Sequence, residues 1–351
     1  MNTINPFVVT FGKKPANYIS RPKEFEKIIF DLEQEPASIQ SYLITGVRGS
    51  GKTVLMNAIT SHFTQQDEWI VVKINPERDI LTSLASKLYD LGSSKHLFTK
   101  MSLSVNIYGI SLSITGSNPI TDVESILDRL FASIKKHNKK VLIAIDEVSN
   151  SSYIKVFAHT FQTLLGEDMP IYLIMTGLYE NVLSLQNEKT LTFLYRSPII
   201  ELKPLDIIDI ALSYQKIFNI DKEKSIVLSK LTSGYAFAYQ ALGYILFDQN
   251  KIDIDKDTLD TYDSFLRKFS YDKMWDSCSE IEKNILKQIN KDGITTNECI
   301  TNANISKSVY SVYRERLINK GLIDTSIHGI IKFSLPRFYE FVKNKIEFNL
   351  D

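Results

Sequence analysis

Two cysteines in 351 residues, Cys278 and Cys299, are too few for a disulfide framework or a cysteine-built metal knuckle. The five histidines are scattered and show no ligand spacing. Neither sign of charge is in excess. Forty-one Lys+Arg balance 41 Asp+Glu, which excludes polyanion binding by bulk charge and leaves only a local basic face. The longest apolar runs, Val141 to Ile145 and Ile171 to Met175, fall far short of the roughly 20 residues of a membrane span. The opening MNTINPFVVT has neither the charged start nor the apolar core of a secretory signal. What is present is ordinary globular composition, 44% hydrophobic and 23% charged, in a chain long enough for two or three domains. A cytoplasmic protein with no membrane contact is expected.

Residues 1–20 carry Pro6, Gly12 and Pro15 and read as an extended leader. Pro22 opens a helix with Phe25, Ile28, Ile29 and Leu32 in register, ended by Glu35-Pro36. Ser41 to Thr45 is a short buried strand feeding a glycine-rich turn, and Val54, Leu55, Ala58 and Ile59 line the helix beyond it. A strand over Trp69 to Ile74 and a helix from about Asp79 to Tyr89 follow. Leu103, Val105 and Ile107 then alternate with polar neighbours, as do Ile110, Leu112 and Ile114 past Tyr108-Gly109. That period of two predicts a β-hairpin, about 101–115, inserted into a strand–helix alternation. Val141 to Ile145 and Ile171 to Met175 are apolar without alternation and flank a helix around Tyr153 to Leu165. Such strands suit the middle of a parallel sheet covered by helices on both faces. A last strand, Ile199 to Leu202, stops before Pro204; helices run from Asp206 to about Asn250, and the charged stretch Lys251 to Asp260 reads as a linker.

The chemistry concentrates in two places. Gly46-Val47-Arg48-Gly49-Ser50-Gly51-Lys52-Thr53 fits G-x-x-x-x-G-K-[ST] in full. Phosphate oxygens need converging backbone N–H groups, and glycines permit the dihedrals and the close approach. The helix N-terminus that follows adds its dipole. Gly46, Val47, Arg48, Gly49, Ser50, Gly51, Lys52, Thr53 and Val54 are therefore the expected phosphate-binding residues, with Lys52 on the β/γ-phosphates and the Thr53 hydroxyl on Mg²⁺. Arg48 has two readings, a phosphate or partner contact and a solvent-facing loop side chain. The second place is the strand end at Asp146-Glu147. There Asp146 is expected to hold Mg²⁺ and Glu147 to polarise the attacking water. Thr176, after the next apolar strand, is either a γ-phosphate sensor that orients water or a strand-ending threonine. Asn75 is a hydrogen-bonding partner for Glu147 or the start of an Asn-Pro turn. Arg196 either completes a neighbouring subunit's site, which requires a homo-oligomer, or is a surface arginine.

With these motifs, the helical segment at Thr232-Ser233-Gly234-Tyr235 makes the chain resemble AAA+-related ATPases of the origin-recognition and STAND kind. It is most similar to ORC-like ATP-binding proteins of bacteria. Asn5-Pro6-Phe7, Phe11-Gly12, Ile19-Ser20-Arg21-Pro22-Lys23-Glu24, the 102–113 hairpin, Lys320-Gly321-Leu322-Ile323 and Phe333-Ser334-Leu335-Pro336-Arg337-Phe338 carry the likeness. It implies an α/β P-loop NTPase core of three layers, α/β/α, around a parallel sheet, then a helical lid and a C-terminal winged helix-turn-helix. It also implies that Arg21 and Tyr235 lie near the base or phosphates of ATP. Ala236 stands where the family usually has proline, and no cation follows it closely.

The C-terminal periodicity agrees with that implication. Ile281, Ile285, Leu286 and Ile289 stripe one helix; a short helix spans Asn297 to Asn302; Ser306 caps a third, with Val309, Val312, Tyr313, Arg316 and Leu317 in register. Gly321 ends it, and two short strands, Leu322 to Thr325 and Gly329 to Phe333, complete the winged helix-turn-helix order. From Ile281 onward eleven basic residues face eight acidic ones, so the module suits DNA, through Lys307, Arg314 and Lys320, or a protein partner. The expected domains are 1–204, an ATPase core; 205–260, a lid; and 261–351, the winged helix. Two functions follow from this organisation. One is a switch that hydrolyses ATP to ADP and repositions the winged helix. The other is a winged-helix DNA-binding regulator whose nucleotide is mainly structural.

Overall fold

The computed structural model describes residues 4–10, 17–94, 97–98, 101–106, 109–114 and 122–348. The leader positions Phe11, Gly12 and Pro15 and the hairpin residues Ile107 and Tyr108 lie outside them. The chain divides into two compact units: residues 21–45 with 52–201, and residues 1–20 with 46–51 and 202–351.

The first unit contains α1 (Pro22–Glu33), β1 (Ser41–Thr45), α2 (Lys52–Thr64), β2 (Trp69–Ile74), α3 (Ile80–Ser94), β3 (Met101–Asn106), β4 (Gly109–Ile114), α4 (Val123–Lys136), β5 (Lys140–Ile145), α5 (Ser152–Gly166), β6 (Ile171–Gly177), α6 (Tyr179–Gln186), α7 (Thr192–Arg196) and β7 (Ile199–Glu201). Five strands form a parallel sheet in the order β2-β5-β6-β1-β7. Every residue of β1 and β6 is buried, as unalternating apolar strands require when helices cover both faces. In the sheet order β6 lies between β1 and the acidic strand β5. The hairpin is present, with β3 and β4 antiparallel from Met101↔Ile114 to Asn106↔Gly109. Helix α3 runs five residues past Tyr89.

The second unit contains α8 (Ile207–Phe218), α9 (Lys222–Lys230), α10 (Ala236–Asp248), α11 (Lys256–Leu266), a π-helical turn (Arg267–Tyr271), α12 (Asp272–Asp276), α13 (Glu280–Lys287), β8 (Ile294–Thr295), α14 (Thr296–Ala303), α15 (Lys307–Asn319), β9 (Ile323–Asp324), β10 (Ile330–Phe333) and α16 (Phe338–Glu347). Half of the expected linker, from Lys256 on, is helix. Asp255 caps α11 by accepting the Thr258 N–H, and Tyr262 and Leu266 are fully buried. Capping boxes start α13 at Ser279 and α14 at Thr295, and Ser306 caps α15. β8 adds a strand that periodicity did not show, giving a three-stranded antiparallel sheet, β8-β10-β9. On α15 the buried residues are Tyr310 and Leu317, while Val312 is half exposed; the apolar face is rotated from the expected one.

Candidate functional site

In the first unit, strand register does most of the placing. Ile145 pairs with Met175, so the next residues, Asp146 and Thr176, emerge level at the C-terminal edge of the sheet. Thr176 is completely buried and its hydroxyl donates to Asp146 Oδ1. The other carboxylate oxygen, Oδ2, accepts from the Thr53 hydroxyl at 2.8 Å. Thr53 is the second residue of α2, so this bond ties the helix start to the acidic strand. The Glu147 N–H approaches Asp146 Oδ1 at 3.1 Å and Thr176 Oγ1 at 3.2 Å. This turn holds Glu147 in the left-handed region, at φ 55°, with the residue exposed. A non-glycine residue there carries backbone strain of the kind concentrated at functional sites.

Lys52 opens α2 and is buried, on a helix whose first turn holds no acid. The positive end of a helix dipole favours an anion. Val54, the third residue of α2, is half-buried.

The loop at residues 46–51 packs with the second unit. Gly51, at φ 95°, would place a Cβ in open space, whereas a Cβ on Gly49, at φ 76°, would lie 2.4 Å from the Tyr235 hydroxyl oxygen. The loop is therefore open at Gly51 and closely backed at Gly49. Its backing uses carbonyls: the Tyr235 hydroxyl donates to Arg48 O at 2.7 Å, and the Phe237 N–H donates to Gly49 O at 3.1 Å. Ser50 N–H closes a turn onto Val47 O at 3.1 Å, and the Val47 side chain packs into the second unit's core. Three loop carbonyls are thus engaged, those of Arg48 and Gly49 by residues 235 and 237 and that of Val47 by the loop's own Ser50 N–H. Gly46 and Ser50 are buried, and Arg48 is half-buried.

The remaining expected residues are placed as follows. Arg21 precedes α1, is largely buried and lies 3.9 Å from Glu24; burial lowers its pKa from the ordinary arginine value. Asn75 accepts the Glu77 N–H at 2.9 Å, the turn reading. Arg196 ends α7, is exposed, and makes no hydrogen bond or ion pair among the described residues. Tyr235 is buried on the loop, and burial raises its phenol pKa, so it is a neutral donor. Lys320 departs from expectation. It donates to Glu282 at 2.9 Å and to Ser277 O at 2.8 Å, with both charged side chains nearly buried, so it is structural and not part of a basic face. Phe237 and Ser270, which also touch this network, had no sequence signal. One acts through its backbone N–H and the other is a lone serine in a helix.

No group of three or more His, Cys, Asp or Glu side chains able to hold a metal occurs among the described residues. Magnesium at a nucleotide site needs fewer, because water and phosphate supply most of its ligands. The Thr53 hydroxyl and Asp146 carboxylate are the oxygens that fit it, and they already adjoin. No described helix is long and apolar enough to cross a membrane.

A family of ATPase domains predominantly from Archaea matches residues 18–207, over half the chain, and a domain of unknown function matches residues 269–342. None of the curated proteins matches the sequence. Among solved structures, the ORC2 protein of Aeropyrum pernix in its ADPNP–ADP complexes is similar at 14% identity and TM-score 0.61, over 97% of this chain and 98% of that one. A Walker-type ATPase of Pyrococcus abyssi is similar at 16% identity and TM-score 0.63, over 92% and 95%. Cdc6p from Pyrobaculum aerophilum is similar at 12% identity and TM-score 0.50, over 98% of each. At these identities the likeness is one of fold, and it is the ORC/Cdc6 form of the P-loop α/β fold.

Proposed function

We propose, on the premise that the chain belongs to the family of ATPase domains predominantly from Archaea, that it binds ATP with Mg²⁺ and hydrolyses it to ADP. On this reading the nucleotide state sets the C-terminal module for contact with a macromolecule. Residues 1–204 would be the ATPase core, 205–260 its lid and 261–351 a winged helix. One observation carries the enzymatic part: Asp146 is bonded through both oxygens to the Thr53 and Thr176 hydroxyls, and Glu147 stands exposed beside it.

Magnesium, when bound, would neutralise phosphate charge as the terminal phosphoryl group departs. This chain's residues would do the rest. The loop amides and Lys52 would hold phosphate oxygens. Thr53 and Asp146 would hold the metal. Glu147, with no cationic partner among the described residues, would orient and deprotonate water. Thr176, fixed on Asp146, would keep that carboxylate turned toward Thr53.

For the C-terminal module, Lys320, one of the three cations expected to meet DNA, is engaged by Glu282 inside the fold. That favours a protein partner over DNA. The test of the enzymatic reading is phosphate release with and without Mg²⁺. Asp146→Ala should lose Mg²⁺-dependent turnover by about 100-fold or more while ATP still binds; turnover equal to wild type would refute the assignment.

A further inference from the structure

The hydrogen bonds behind the loop have a direction. Arg48 O can only accept, so the Tyr235 hydroxyl must spend its one proton there, at 2.7 Å. The 2.6 Å contact between the Tyr235 and Ser270 hydroxyls must then be donated by Ser270. Tyr235 is 4% exposed and Ser270 1%, so water does not substitute readily for either bond.

Ser270 sits within the π-helical turn that joins α11 to α12. A π-turn inside a helix is strained and recurs at functional positions. The next residue, Tyr271, is fully buried and donates to Pro336 O at 2.5 Å. Arg337 follows, in the left-handed region at φ 55°, with its guanidinium forked onto Asp263 of α11. A second contact leaves the loop at Val47. The Cβ that Gly321 lacks, at the end of α15, would lie 1.9 Å from Val47 Cγ1.

We propose that Tyr235 and Ser270 are positioning residues that couple the phosphate loop to the C-terminal module. The Arg48 carbonyl, held by Tyr235, shares its peptide plane with the Gly49 N–H, while the Gly49 carbonyl, held by the Phe237 N–H, shares its plane with the Ser50 N–H, which is spent on Val47 O. Rotation of the first plane as the Gly49 N–H closes on a triphosphate moves the Arg48 carbonyl. Tyr235 follows it, and Ser270 transmits the change to the π-turn and so to the Tyr271–Pro336 contact. The inference rests on the ATP-binding reading and adds its route to the second domain.

The test is hydrogen–deuterium exchange on the full chain with and without saturating ATP, alongside measured ATP affinity. In wild type, ATP should slow exchange in the loop (46–53), in the π-turn (267–271) and around Gly321. Tyr235→Phe deletes only the hydroxyl; ATP should bind about tenfold more weakly, the usual cost of one buried hydrogen-bonded donor. At saturation the loop should still be protected but the π-turn should not. Ser270→Ala removes the distal bond, together with the 3.8 Å contact to Met274 Sδ, and should lose π-turn protection with affinity within about twofold of wild type; it also serves if the tyrosine variant fails to fold. Protection of the π-turn persisting in both variants, or absent in a wild type whose loop is protected, overturns the coupling alone. A wild type that does not bind ATP overturns the functional reading beneath it.

Discussion

Charged residues are used oppositely at the sheet edge and in the C-terminal module. At the edge, Asp146 is held by two hydroxyls and Glu147 by none, and neither has a cationic partner among the described residues. In the module, Lys320 is locked to Glu282 and Arg337 is forked onto Asp263. A carboxylate positioned by neutral donors keeps its charge for something that arrives; a charge matched inside the fold is architecture. Both Lys320 and Asp146 attract attention in the sequence, and only their partners separate them.

This contrast can be pressed with substitutions. Lys52→Ala should weaken ATP binding by about 100-fold, as for loss of a charge that meets phosphate directly; an unchanged dissociation constant by fluorescence titration would place Lys52 on the architectural side. Lys320→Ala should leave ATP binding intact but destabilise the protein by about 2 kcal/mol, because Glu282 would remain buried without its cation. Lys307 is exposed, so Lys307→Ala should change stability by less than about 0.5 kcal/mol. Equal melting temperatures for the two lysine variants would dissolve the distinction.

Much of the sheet edge was legible because its signals are local. A strand, a glycine turn and a helix start are contiguous at Ser41 to Thr64, and an apolar run announces Asp146. What was not legible depends on distant partners. The placement of β6 between β1 and β5 is fixed by register across three separate segments. Tyr235 meets a carbonyl 187 residues away, and backbone carbonyls leave no mark in sequence. Helix α11 was hidden by its charge, since Lys251, Asp253 and Asp255 read as solvated linker although Asp255 is a cap. The face of α15 was misjudged because its apolar residues, Val309, Tyr310, Val312, Tyr313 and Leu317, fit two overlapping stripes; packing buries Tyr310 and Leu317.

The most direct measurement takes ATP affinity and phosphate release from the same preparation of Glu147→Gln. Removing the base while keeping its shape should lower turnover by about 1000-fold and leave affinity within about threefold, since Glu147 is exposed and bonded only through its backbone. Turnover at the wild-type rate, with affinity intact, would show that the acidic edge performs no hydrolysis.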